Sequence, residues 1–178
     1  MKLKNFIISI ILTFSLCGCV TTKISEEQVY FNKAIENDNN SQYEGAFIYY
    51  SKVIDLNKDN SLAYFKRATV SYKLKKIEQA IDDLTYVIEY STELKYDSLF
   101  NRGSIFYELA QYDKALSDFL YAIKLNPQHA YTYTMAGNCY SYQKNYKKAV
   151  QYYEQALEIN PDDEQAKKNL ATLRKDNY

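Results

Sequence analysis

Apolar positions recur along this chain at steps of three and four, and the same set returns four times. Tyr43, Ala46, Phe47, Tyr50, Val53 and Ile54 are matched by Ile77, Ala80, Ile81, Leu84, Val87 and Ile88. Tyr112, Ala115, Leu116, Phe119, Ala122 and Ile123 follow, then Tyr146, Ala149, Val150, Tyr153, Ala156 and Leu157. Each set is one stripe of an amphipathic helix. The alanines Ala46, Ala80, Ala115 and Ala149 lie 34, 35 and 34 residues apart, a period that signals stacked supersecondary units. A second helix precedes each stripe, clearest at Tyr133, Ala136, Gly137 and Tyr140 and fainter at Leu99, Gly103 and Phe106. The unit is therefore a helical hairpin. Helices that cross closely need a small residue where their backbones meet, which places Ala34, Ala68, Gly103 and Gly137 at the crossings, faced by the four alanines.

The turns fit this reading. Leu125-Asn126-Pro127 and Ile159-Asn160-Pro161 each close a unit, with the asparagine expected to cap the next helix and the proline at its first position. Asp162 to Lys175 reads as one more helix with Ala166, Leu170 and Leu173 inward, acidic at its start and basic at its end, as the helix dipole favours.

The whole pattern resembles the tetratricopeptide repeat. Gly103, Phe106, Ala115, Phe119 and Pro127 match it best, together with Gly137, Tyr140, Ala149, Tyr153 and Pro161. The resemblance implies an all-α, right-handed superhelical solenoid of about four hairpins, at 27–60, 61–94, 96–129 and 130–163, closed by a C-terminal capping helix and tail at 164–178. The first two units depart from the pattern. Asn37 and Ser71 stand where an aromatic is expected, Lys58 and Thr92 replace the proline, and one extra residue between Thr92 and Asp97 is expected to alter the superhelical step.

The start of the chain is different in kind. Lys2 and Lys4 precede an apolar run from Phe6 to Leu16, the layout of a secretory signal. That run is eleven residues long, against the ~20 needed to cross a bilayer. Leu16-Cys17-Gly18-Cys19 resembles the lipobox of bacterial lipoproteins. By that resemblance residues 1–18 are removed, Cys19 carries the lipid, and 19–26 form a short tether to a membrane. Val20 is not the aspartate that marks inner-membrane retention in Gram-negative lipoproteins. The implied place is then the cell envelope, at the periplasmic face of the outer membrane. A plain signal peptide with incidental cysteines is the alternative.

Composition narrows the function by exclusion. With 22 basic and 22 acidic residues the formal charge is zero, so no net field gathers nucleic acid. Four glycines and two prolines are few for a strand-rich domain with many turns. No phosphate loop, metal-spaced cluster or nucleophile motif occurs, so no catalytic residue, metal or cofactor is expected. His129 reads as a surface turn residue and Cys139 as a small packed residue. Asp82-Asp83 reads as a solvated helix face, Asp162-Asp163 as a helix start, and Lys144, Lys147 and Lys148 as solvated lysines.

In the family the sequence resembles, the first helices of successive hairpins line a concave groove that receives a peptide or part of a partner protein. The residues so placed here are Phe31, Phe65, Tyr72, Phe100, Tyr107, Tyr131, Asn138 and Tyr142, together with Leu62, Thr69, Asn101 and Ser104. Rigid rings separated by polar gaps suit an extended or helical peptide, and the alternative for each ring is that it packs between neighbouring repeats. The lysine, arginine and asparagine clamp with which some members hold a terminal carboxylate is not matched, since Phe65, Thr69, Tyr131 and Met135 stand in its places. The expectation is a membrane-anchored scaffold or adaptor for protein partners. The alternative is a pilotin-like assembly factor for a pilus or secretion system.

Overall fold

The computed structural model describes residues 24–175. Those residues form nine helices: α1 Glu26–Asn39, α2 Tyr43–Leu56, α3 Ser61–Lys73, α4 Ile77–Tyr90, α5 Lys95–Glu108, α6 Tyr112–Leu125, α7 Ala130–Tyr142, α8 Tyr146–Ile159 and α9 Glu164–Lys175. Each helix packs on its chain neighbours, so α1–α2, α3–α4, α5–α6 and α7–α8 are hairpins stacked into a right-handed solenoid that ends in α9. Cys19 and its lipobox lie outside the described residues, as does most of the expected tether. No helix among the described residues is long and apolar enough to cross a membrane.

The stripes form the core. Ala46, Ala80, Ala115 and Ala149 are fully buried, as are Tyr50, Phe119, Val53, Val87, Ala122 and Ala156. The small residues opposite them admit close approach: Ala34 is 0% exposed, and a Cβ on Gly137 would stand 2.6 Å from Cε1 of Tyr153. On Gly103 it would stand 3.0 Å from Cε1 of Phe119. Asn37, in place of an aromatic, hydrogen-bonds the Lys33 carbonyl at 2.8 Å and presses its Oδ1 onto Gly45, where a Cβ would collide. Ser71 is fully buried with no partner for its hydroxyl.

Every turn inside a hairpin repeats one device. Gln42, Lys76, Gln111 and Asn145 donate their N–H back to the carbonyls of Asn37, Ser71, Phe106 and Tyr140, each at 2.8 Å. This six-to-one bond closes a Schellman motif, which needs a left-handed residue just before the donor. Those residues are Ser41, Lys75, Ala110 and Lys144, with φ between 56° and 60°, and none is glycine. A side chain at this φ is strained by ~1 kcal/mol or more. Ala110→Gly, at an exposed turn, is therefore expected to raise stability by about 1 kcal/mol, read as a higher thermal midpoint with unchanged far-UV circular dichroism.

The turns between hairpins correct the sequence reading. Asn126 and Asn160 do not cap α7 and α9, and Pro127 and Pro161 do not open them. Asn126 Oδ1 accepts from Gln128 N at 3.3 Å and Asn160 Oδ1 from Asp162 N at 3.1 Å, as Asn57 Oδ1 does from Asp59 N at 3.1 Å. Each asparagine thus folds the turn itself, an Asx-turn two residues long, and the helix begins after it. His129 precedes α7 without a side-chain cap, whereas Asp163 caps α9 by accepting from Gln165 N and Ala166 N at 3.0 Å. The extra residue near Thr92 leaves the turn alone: α5 starts at Lys95 and has 14 residues against 13 for α3 and α7.

The two ends of the array differ from its interior. At one position of the first helices Val70, Ile105, Cys139 and Leu173 are buried against the preceding hairpin, and Glu36 stands there in α1, exposed. At another, Arg67, Arg102, Ala136 and Leu170 are preceded by exposed Lys33. The face α1 would offer to an earlier hairpin is therefore charged. At the far end Ala166, Leu170 and Leu173 of α9 close over Tyr153 and Ala156 in one cluster, as expected of a cap.

Candidate partner-binding groove

The first helices of the hairpins, α1, α3, α5 and α7, face one another along one side of the stack, with α9 after them. Rungs cross each cleft at equivalent places. Lys73 of α3 pairs with Asp38 of α1 at 3.2 Å. Tyr72 of α3 donates its hydroxyl to Glu108 of α5, a bond that with burial raises the Tyr72 pKa. Tyr107 of α5 meets Tyr142 of α7 edge-on with ring centroids 5.7 Å apart.

The sequence-predicted groove residues fall into two groups. Phe31 stands edge-on to Tyr50 at 5.8 Å, Phe65 packs on the cluster of Ala68, Leu84 and Ile105, and Phe100 lies 5.8 Å from Phe119. Tyr107 is held between Tyr112 and Tyr142, and burial first of all raises its pKa. These rings are half-buried and knit hairpins together. Tyr131 and Tyr142 stay open, 48% and 59% exposed. Tyr142 lies flat on Tyr112, with centroids 4.5 Å apart and planes 8° from parallel. Asn138 is part of a network: its Oδ1 accepts from the Tyr153 hydroxyl at 2.8 Å and from Asn169 Nδ2 at 2.7 Å.

Two recesses open on this face. One, of about 180 Å³, lies between α3 and α5 over Leu84, lined by Ala68, Thr69, Tyr72, Asn101, Ser104, Ile105 and Glu108. The other, of about 260 Å³, is walled by α7 and α9 and is lined by neutral side chains, among them Asn138, Ser141, Gln165, Asn169 and Thr172.

Comparisons with known proteins agree with this geometry. Models of the tetratricopeptide repeat match residues 27–60, 96–129 and 130–163. The chain belongs to the tetratricopeptide repeat family. It is 30% identical over 130 residues to human tetratricopeptide repeat protein 6, a match that takes in 73% of this chain and 25% of that protein. The chain thus spans about a quarter of the length of the curated relative it matches. The crystal structure of MamA superposes with a TM-score of 0.78 at 20% identity, covering 84% of this chain and 81% of that one. YrrB, described as a tetratricopeptide repeat protein with an unusual peptide-binding site, gives 0.71 at 25% identity over 79% of this chain and 72% of its own.

Within this tetratricopeptide repeat array the structure also holds an element that sequence reasoning missed. Asp83 is not on a solvated face: it is 2% exposed and receives two bonds from Arg67, Nε at 2.8 Å and Nη2 at 2.7 Å. Asp118 and Arg102 repeat the fork at 2.9 Å and 2.8 Å. Burial opposes the Arg67 charge, but the bonds and charge of Asp83 outweigh it and its pKa stands raised. Each pair joins the two helices of its own inner hairpin, α3 to α4 and α5 to α6. The fork needs a planar guanidinium, which a lysine cannot supply.

Reactive groups are quiet. Cys139 is fully buried, and burial pushes its thiol up to about 12, far from a nucleophilic thiolate. His129, exposed as expected, has fixed neighbours: its Nδ1 lies 2.9 Å from Thr132 Oγ1, and Tyr96 and Phe100 meet it edge-on. Among the described residues no three of His, Cys, Asp and Glu gather to hold a metal ion.

Burial also raises Tyr50, Tyr152 and Tyr153 from the ordinary phenol value of 10.0 to about 12. Such acids keep their protons in the fold after the unfolded chain has begun to lose them. Their contribution to stability is complete below pH 10.0 and is lost as pH rises through about 12. The array is expected to unfold cooperatively in that window. Loss of helical circular dichroism should coincide with the late step of tyrosinate absorbance that these buried rings contribute; completion of that step with intact helices would contradict this.

Proposed function

We propose that the protein is an envelope scaffold, anchored by lipid on Cys19, that recruits protein partners through the inner face of its repeat array. The observation that carries the reading is the pair of open rings on that face, Tyr131 and Tyr142, the second of which lines the recess walled by α7 and α9. Large rings left exposed and already held in place bind with little entropy loss. The peptide-binding site named for YrrB supports the same use of a similar array. The lipobox pattern Leu16-Cys17-Gly18-Cys19 supports the anchor, and in a Gram-negative envelope Val20, where an aspartate would mark inner-membrane retention, supports the periplasmic side of the outer membrane.

A photo-crosslinking side chain placed at Tyr131 or Tyr142 is expected to trap one or a few discrete partners, while the same group at exposed Lys147 of α8 traps none of them. Cys19→Ala is expected to move the protein out of the membrane fraction. Identical products from both faces would sink the groove, and membrane retention of Cys19→Ala would sink the anchor.

A further inference from the structure

The cleft between α3 and α5 differs from those between α1 and α3 and between α5 and α7 in a way that points to what fills it. Counting by the repeat, Asn101, Ser104 and Glu108 correspond to Met135, Asn138 and Tyr142 in the next cleft and to Lys66, Thr69 and Lys73 in the preceding one. Between α5 and α7, Met135 is 8% exposed and Asn138 is tied to Tyr153 and Asn169, so that cleft is filled from within. Between α1 and α3 the rung is an ion pair, Lys73 with Asp38, and its charges cancel. The α3–α5 cleft alone of the three combines short side chains at its mouth with an acid in its rung.

Its floor is apolar: Ala68, Leu84 and Ile105 are 1%, 2% and 6% exposed, and together they underlie the recess of about 180 Å³. That is room for one large apolar side chain. At the rim, Glu108 has the Tyr72 hydroxyl as its partner, and among the described residues no ion pair includes it. Lys75 rides over the Tyr72 ring, 5.7 Å from its centroid, and does not reach ion-pair distance of the carboxylate. A phenol donor leaves the carboxylate's negative charge uncompensated at the exposed rim of the recess, open to pairing with a cation.

We propose that this cleft selects partner segments in which a large apolar side chain adjoins a cation, either lysine, arginine or a free N-terminal amine. The apolar group enters over Leu84 and Ile105, and the cation pairs with Glu108. This rests on the reading of the inner face as a partner groove and adds a charge preference, opposite in sign to recognition of a terminal carboxylate.

Two small probes with the same phenylethyl body and opposite charge test it: phenethylammonium and hydrocinnamate, titrated into the isotope-labelled protein while its amide resonances are followed. Phenethylammonium is expected to shift Thr69, Ser104 and Ile105 saturably, and hydrocinnamate to bind about tenfold more weakly or not at all. Glu108→Gln removes the charge from an exposed position and is expected to cost phenethylammonium about tenfold in affinity. Asn101→Met, which fills the cleft as Met135 fills its neighbour, is expected to abolish the shifts; should it unfold, Glu108→Gln decides. Equal binding of the two probes, full affinity in Glu108→Gln, or shifts confined to other parts of the face would overturn the proposal. Its failure is separable from that of the groove itself. Crosslinks from Tyr142 with no charge preference at the cleft would remove only the selectivity, whereas cleft binding without any crosslinked partner would remove the scaffold reading.

Discussion

Asp83→Ala is expected to destabilise the array by about 3–5 kcal/mol, because it strands the guanidinium of Arg67 inside a hairpin. The side chains of the pair are 14% and 2% exposed, and the fork is bidentate. Arg67 would retain Ser51 Oγ at 3.1 Å and the rings of Phe47 and Tyr64, none of which carries a countercharge. The comparison that isolates the cause is the double substitution Arg67→Met with Asp83→Leu. It removes both charges and fills their space, and is expected to recover most of the loss. Urea midpoints with an unchanged slope would measure both. If the single variant matched the parent, the fork would be an ornament of the surface.

Phe119→Ala is expected to cost a similar ~3–5 kcal/mol by a different route, loss of a buried ring plus an unfilled cavity. Phe119 is 0% exposed, seats against Gly103 within its own hairpin, and belongs to the same cluster as Met135, Ala136 and Cys139 of α7. Since a solenoid is stabilised by contacts between neighbours, the cavity weakens the junction of the third and fourth hairpins as well as the third itself. The expected signature is a broadened or split calorimetric transition, where the parent is expected to give one peak. A single sharp transition at the parent's midpoint would show that the cluster does not couple the two hairpins.

The sequence made the helices legible because each buries one continuous stripe, and a stripe at steps of three and four survives as a pattern in letters. Ala34, Ala46 and Gly137 could be placed at crossings from spacing alone. The Asp83 fork was not legible, since a buried carboxylate has the same letter as a solvated one. A signal was nevertheless there. Only three of the 22 basic residues are arginine, and two of them, Arg67 and Arg102, stand 16 residues before an aspartate at equivalent places in adjacent units. The turn asparagines misled for a related reason: the side chain that can cap a helix can also close the turn before it, and Asn126 does the second. Of the groove residues, spacing found the face but could not divide rings that knit hairpins, such as Phe100 and Tyr107, from rings that stay open, such as Tyr131 and Tyr142. Both groups make ring contacts, so that division depends on how far the neighbouring hairpins cover each ring, which no letter in the sequence carries.

The charged outer face of α1 governs how such a protein could be lengthened. A hairpin joined ahead of α1 would have to bury Lys33 and Glu36, and one joined after α9 would have to displace the cap. Interior hairpins bury both faces, with Arg67 paired to Asp83 inside its own hairpin, so duplication of the unit from α3 to α4 brings no unpaired buried charge of the α1 kind to a new junction. New binding surface is thus most readily gained by insertion in the middle, with both termini left as they are.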